Sequence, residues 1–221
     1  MFGNNPKRPP VTHNGMHLEI QHIFATLQGE GIYAGWPAIF IRLGGCNLAC
    51  HFCDTEFESY HSESLTNIQA TIAQLNPSGQ IGLIVITGGE PLRQPIAPLC
   101  QLLIDAGYRV QLETNGTLYQ PLPSSVDIIC SPKPTATGYH HIRPDLLPHI
   151  TAFKFIISAT APHYQDIGDV GQHTHSTPVY VQPMDEYDPP KNAANLRHAV
   201  TLALTHGYRV SLQTHKLMGV A

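Results

Sequence analysis

The chain has 221 residues and 42% apolar content, enough for one α/β domain with a sizeable core and too little for two comfortable ones. A net charge of -4, with 12 Lys and Arg spread along the sequence, argues against a nucleic-acid surface, and no apolar run approaches the roughly 18–20 residues of a membrane span. Residues 1–13 are polar and Pro-rich without an apolar stretch, so they read as a disordered leader and not as a signal peptide. The expected organisation is a leader over 1–16 and a single domain over 17–221, with a cytoplasmic location and neither nucleic acid nor membrane as a partner.

In chain order, strands are predicted at 18–24 and 37–43, the second almost continuously apolar. A helix over 66–75 places Leu65, Ile68, Ile72 and Leu75 on one face, with Thr66 and Gln69 at capping-box spacing. A buried strand follows at 81–87. The helix at 95–106 has Pro in its first turn and Gly107 just past its end. Further strands are predicted at 108–114, 126–130, 152–157, 179–182 and 208–214, with a helix over 190–206 stopped by Gly207. Alternating strands and helices point to an α/β fold with a parallel sheet and helices outside it.

The segment 107–114 is echoed at 207–214, each a Gly-Tyr-Arg-Val opening into a strand. In both copies polar and apolar side chains alternate, whereas parallel strands covered on both faces read as continuous apolar runs. Arg109, Gln111 and Glu113 therefore either line a wet or ligand-filled interior or mark an edge facing solvent. Four prolines between 131 and 148 leave little room for a helix, so an incomplete, TIM-like parallel β/α barrel is expected.

Five cysteines are present, and three of them, Cys46, Cys50 and Cys53, share one loop at C-x3-C-x2-C spacing. Composition alone would produce this spacing about 0.003 times in a chain of this length. Cys100 and Cys130 fall in apolar patterns and read as core residues. An iron–sulfur cube takes one thiolate per iron, so three cysteines leave one iron open. The competing reading is a structural zinc site completed by His51, Asp54 or His61. Gly88-Gly89-Glu90 directly follows the strand at 81–87, where glycines allow a close backbone approach to a ligand.

The cysteine spacing resembles the radical S-adenosylmethionine (radical SAM) superfamily, whose open iron chelates the cofactor and whose Gly-Gly-Glu turn holds the cofactor's amino group. Further stretches resemble one member family, 7-carboxy-7-deazaguanine synthase. They are Leu27-Gln28-Gly29-Glu30-Gly31, Ala38 to Leu43, Asp54-Thr55, Ile86 to Pro91, Glu113 to Gly116, Ser131-Pro132-Lys133, Gln182-Pro183-Met184 and Gln213 to Lys216. The resemblance implies an incomplete barrel of the radical SAM type and conversion of 6-carboxy-5,6,7,8-tetrahydropterin to 7-carboxy-7-deazaguanine with loss of ammonia. It implies a 4Fe–4S cluster reducing S-adenosylmethionine to a 5′-deoxyadenosyl radical that abstracts hydrogen and starts the ring contraction, in queuosine and deazapurine biosynthesis.

By the same resemblance Phe52, Cys53, Asp54, Gly89, Glu90, Ser131 to Lys133 and Gln182 to Asp185 meet the cofactor, although Phe52 alternatively packs the loop. Leu27, Gln28, Gly29, Thr87, His215 and the carboxylate of Ala221 meet the substrate. Arg42 either forks onto the substrate carboxylate or forms a structural ion pair, and Glu113 either accepts from the pterin's N–H groups or holds a loop. Thr55 corresponds to the family's Mg²⁺ ligand, and one hydroxyl needs the substrate carboxylate and waters to complete an octahedron. The resemblance also implies a homodimer and an electron donor such as flavodoxin or ferredoxin. Two rival functions stay open at this point: a radical enzyme activating another protein, and a zinc-stabilised binding module without catalysis.

Overall fold

A computed structural model of the chain describes residues 5–53 and 55–220. Its strands are β1 (His17–Leu27), β2 (Pro37–Leu43), β3 (His61–Ser64), β4 (Leu83–Gly88), β5 (Arg109–Thr114), β6 (Val126–Cys130), β7 (Pro134–Thr135), β8 (Gly138–Tyr139), β9 (Ile150–Ile157), β10 (Val179–Pro183) and β11 (Arg209–Val210). Its helices are α1 (Leu65–Leu75), α2 (Ala97–Asp105), α3 (Pro189–His206) and α4 (Thr214–Met218). Nine strands form one sheet in the order β11-β10-β9-β6-β5-β4-β2-β1-β3, while β7 and β8 make a separate small hairpin within the Pro-rich stretch. From β2 to β11 every neighbour is parallel, and β1 and β3 add an antiparallel edge. The result is the open, partial barrel expected.

The apolar pattern explains which face went outward. Ile39, Ile41, Leu43, Ile84, Ile86, Val110 and Leu112 join one core with Leu65, Ile68 and Ile72 of α1 and Leu99, Cys100 and Leu103 of α2. Each such side chain taken from water contributes roughly 1.5–3 kcal/mol. The inward face is apolar near its base, where Ala38, Leu83 and Val85 meet Tyr33, and Ile129 and Ala152 meet Tyr180. The echoed arginines sit at this base: Arg109 donates to Tyr33 Oη and Arg209 to Tyr180 Oη, each at 2.9 Å, with the guanidinium over the ring. Above that layer the interior turns polar.

Several expectations change. The strand expected over 208–214 shrinks to Arg209–Val210, because β11 is a sheet edge and its ladder ends where Ser211 N donates to Val181 O at 2.9 Å. Thr214 N then donates to Gly29 O at 3.0 Å, and the chain turns into α4. Of the two echoed copies, β5 thus lines an interior and β11 lies at an edge. From residue 5 onward the segment ahead of β1 runs along the cysteine loop, where its backbone groups find partners: Arg8 N donates to Cys46 O at 2.7 Å and Val11 N to Arg93 O at 2.9 Å. Among the described residues no helix is long and apolar enough to cross a membrane.

The cap of α1 is also not the Thr66/Gln69 pair. β3 leads straight into the helix, so Ser64 is the N-cap, extended at φ -73 and ψ 153, and its hydroxyl accepts from Asn67 N at 3.1 Å. Ser64→Ala is therefore expected to cost about 1 kcal/mol in urea unfolding, while Thr66→Ala stays within about 0.5 kcal/mol of the parent.

Candidate active site

The parallel strands end on one side of the sheet, and their C-terminal ends surround a single cavity of about 400 Å³. The loop after β2 carries the three cysteines into it. Backbone packing seats that loop: Gly45 N donates to Phe57 O at 2.9 Å, Gly89 N to Leu43 O at 3.2 Å and Glu90 N to Gly45 O at 3.0 Å. Gly88 sits at φ +130, and a side chain there would run into the Leu43 backbone. One at Gly89 would strike the Gly45 carbonyl. The glycine pair is thus explained by strand β4 lying directly against the exit of β2.

Cys46 is buried beside Leu48 and Phe57, and Cys50 and Cys53 pack against the same cluster. Burial pushes the Cys46 thiol up to about 12 and raises Cys50 as well, with the charges of Lys133 and Lys7 opposing the rise at Cys50. These thiols hold their protons until a metal displaces them. Among the described residues no three His, Cys, Asp or Glu side chains converge as they would around a single ion. Three sulfur donors spread along one cavity wall suit a cluster that takes one thiolate per iron, with Lys133 alongside. Lys133 Nζ is fixed by the Ser131 carbonyl and hydroxyl at 2.8 and 2.7 Å. Cys100 and Cys130 are buried free thiols, as core residues should be.

On the opposite wall lies a feature that the sequence reading did not single out. Lys154, in β9, is 6% exposed and its ammonium donates to Glu30 at 2.6 Å and to Glu113 at 2.9 Å. Gln111 Nε2 donates to the other Glu113 oxygen at 2.7 Å, and Gln213 Nε2 to the other Glu30 oxygen at 2.8 Å. Burial works to raise the Glu30 carboxyl, but Lys154, Gln213 and His215 together hold it down at about 2. Burial likewise disfavours the Lys154 charge, and Glu113 and Glu30 outweigh it, leaving the ammonium above the usual lysine range. The available signal was a lone charge inside the apolar run Ala152-Phe153-Lys154-Phe155-Ile156, which needs a partner.

Of the predicted site residues, the cavity wall includes Cys46, Cys50, Phe52, Cys53, Thr55, Thr87, Gly89, Glu113, Ser131, Lys133, Gln182, Pro183, Met184 and Asp185. Phe52 also packs edge-on against Tyr164 at 5.0 Å. Asp54 and Ala221 lie outside the described residues. Leu27, Gln28, Gly29, Arg42, Glu90, Pro132 and His215 are not on the wall. Glu90 is fully buried behind it, accepting from Thr114 Oγ1 and Asn115 N at 2.7 Å each and Leu92 N at 3.0 Å, with burial raising its carboxyl. It braces Thr114 and Asn115, which do line the cavity. Arg42 is in register with Thr87 on the inward face, its guanidinium 5.3 Å above the Phe24 ring. Gln28 is buried and its side-chain oxygen accepts from Glu30 N at 3.1 Å. Gly29 lies so close to His215 that any side chain there would strike the imidazole, and its carbonyl accepts from Thr214 Oγ1 at 3.1 Å.

The charge row sets a pH dependence. Because the Glu30 carboxyl is depressed by folding, its contribution, on the order of 3 kcal/mol, is present above about pH 4.5 and drains away as the pH falls towards 2. The raised Lys154 contributes below the ordinary lysine range and loses its contribution above it. Lys154→Met strands two buried carboxylates and is expected to lose about 3–5 kcal/mol at neutral pH. In urea titrations the gap to the parent should narrow from about pH 5 downward; a gap independent of pH would show that the row carries no net charge energy.

Residues 40–131 match a family model described as the radical SAM superfamily. A 7-carboxy-7-deazaguanine synthase of Rickettsia prowazekii (strain Madrid E) is 54% identical over 224 residues, covering 100% of this chain and 96% of the relative. One of Rhodospirillum rubrum is 40% identical over 241 residues and the full length of both. The crystal structure of QueE from Escherichia coli superposes with a TM-score of 0.70 at 25% identity, covering 89% of this chain and 94% of that one. The chain belongs to the 7-carboxy-7-deazaguanine synthase family of radical SAM enzymes.

Proposed function

We propose that the chain converts 6-carboxy-5,6,7,8-tetrahydropterin to 7-carboxy-7-deazaguanine with loss of ammonia, a step of queuosine formation. One observation carries the reading: three thiols and the Glu30–Lys154–Glu113 row face the same cavity in a chain of this family. The activator and zinc-module alternatives fall away with family membership. When bound at Cys46, Cys50 and Cys53, a 4Fe–4S cluster supplies the electron that breaks S-adenosylmethionine into methionine and a carbon radical.

The chain's own residues bind and orient. Glu113, with Lys154 fixing one oxygen and Gln111 the other, presents its carboxylate to the amino and amide N–H groups of the pterin. Thr87 offers a hydroxyl, and Arg42 is one strand away from it for the substrate carboxylate. Gln28, Gly29 and His215, behind the wall, brace the joint between β1 and α4 that carries Glu30 and Gln213 to the substrate. Ser131, Lys133 and Gln182 to Asp185 contact the cofactor. Phe52, Phe57, Ile156 and Met184 give the cavity apolar walls, which keep water from competing for a reactive carbon. Thr55 contributes one oxygen to Mg²⁺, with the substrate carboxylate and waters supplying the others. A cytoplasmic homodimer served by a flavodoxin or ferredoxin completes the proposal.

Oxygen-free protein loaded with iron and sulfide, a reductant and S-adenosylmethionine is expected to turn the carboxypterin into 7-carboxy-7-deazaguanine, read by mass spectrometry. Cys50→Ala should abolish product and lower bound iron together, and Thr55→Ala should weaken the response to added Mg²⁺. Loaded parent protein that leaves the carboxypterin unchanged would overturn the assignment.

A further inference from the structure

The segment 5–11 lies across the cysteine loop and is fastened on both sides of it. Lys7 forms a parallel β-bridge with Cys46, and Arg8 N donates to Cys46 O at 2.7 Å. Beyond the third cysteine, the Arg8 guanidinium reaches one Glu58 oxygen through Nη2 at 2.7 Å and Nε at 3.1 Å. Below it, buried Arg93 donates to Pro9 O at 3.1 Å and to Gly44 O at 3.0 Å, so one guanidinium ties the arm to the residues that launch the loop. Arg93 also pairs with Glu19, and its own carbonyl accepts from Val11 N at 2.9 Å. Pro9 and Pro10 have no N–H to leave unpaired in so extended a segment.

The arm then delivers one side chain to the cavity wall. Asn5 lines the cavity together with the three cysteines, and its Nδ2 is shielded from solvent with no hydrogen-bond partner among the described residues. A buried amide donor left idle is unfavourable, and an acceptor bound in the cavity would remove that cost. The acceptors nearest in kind are the sulfurs of the group the cysteine loop holds, and N–H donation to such sulfurs stabilises the reduced cluster. We propose that residues 5–11 clamp the cluster loop shut and that the Asn5 amide donates a hydrogen bond to a sulfur of the cluster. This rests on the cluster reading given above.

Two variants of the full chain test it, Asn5→Ala for the donor and Arg8→Pro for the clamp; the second removes the guanidinium and the backbone N–H together. The parent and both variants are loaded anaerobically and followed by iron and sulfide content, visible bleaching in air, EPR-monitored reduction and S-adenosylmethionine binding, with cofactor-free melting as the folding control. Arg8→Pro is expected to bleach several-fold faster with the cofactor-free melting curve unmoved. Asn5→Ala is expected to reduce at a more negative potential with its affinity for S-adenosylmethionine unchanged. Loaded variants that match the parent in bleaching and potential overturn the clamp alone. Weaker S-adenosylmethionine binding by Asn5→Ala at an unmoved potential overturns the hydrogen bond to sulfur, assigning the amide to the cofactor. A parent that takes up no iron and sulfide sinks the cluster reading itself, and the clamp with it.

Discussion

The interior depends on one buried ammonium. Lys154 projects from β9 into a barrel whose base is apolar and whose upper layer is polar, and it bridges the turn after β1 to the end of β5. Neither carboxylate could sit there alone, because an unpaired charge out of water costs several kcal/mol. Each has its other oxygen engaged by an amide, from Gln213 and Gln111, so the row is satisfied and fixed in geometry. Two carboxylates against one ammonium leave the row with an excess negative charge. That excess suits the N–H donors of the proposed substrate.

The opposite wall is built by a different means. There the chain packs backbone against backbone, with Gly88 at the end of β4 and Gly89 after it pressed on Leu43 and Gly45 at the exit of β2. Glu90 adds a rigid brace by accepting hydrogen bonds from Thr114 of β5, from Asn115 just after it and from Leu92 in the turn that follows β4. The thiols therefore emerge from a loop whose two supports are sheet strands, and strands hold a site more accurately than loops do. A single cavity between a soft-ligand wall and a charged wall lets an electron-accepting cofactor and an N–H-rich substrate meet.

Much of this was legible in the residues. Apolar runs marked β2 and β6 to the residue, since strands buried in a parallel sheet are bounded by turn chemistry on either side. The cysteine spacing and the Gly-Gly-Glu turn located one wall of the site. What failed to show is what pairing decides. β3 is polar, and its partner is β1's backbone, so no periodicity announced it. The alternation at 208–214 matched that at 108–114, yet only topology puts one copy inside and the other at an edge. The arm at 5–16 lacks an apolar period, and carbonyls far along the chain order it. Lys154 was visible as a charge in an apolar run, but its partners come from β5 and the turn after β1.

The joint between Gly29 and Thr214 spans 185 positions, and the link from Gln213 to Glu30 spans 183. Contacts that distant must overcome the greatest loop-closure entropy and form late in folding. During synthesis the cysteine loop and its glycine supports are complete long before residue 213 leaves the ribosome. A nascent chain can thus have the cysteine loop and the Glu30–Lys154–Glu113 row in place while Gln213, the amide that fixes Glu30, is still missing. The connectivity thus leaves the closing of the joint between β1 and α4 to the last residues made.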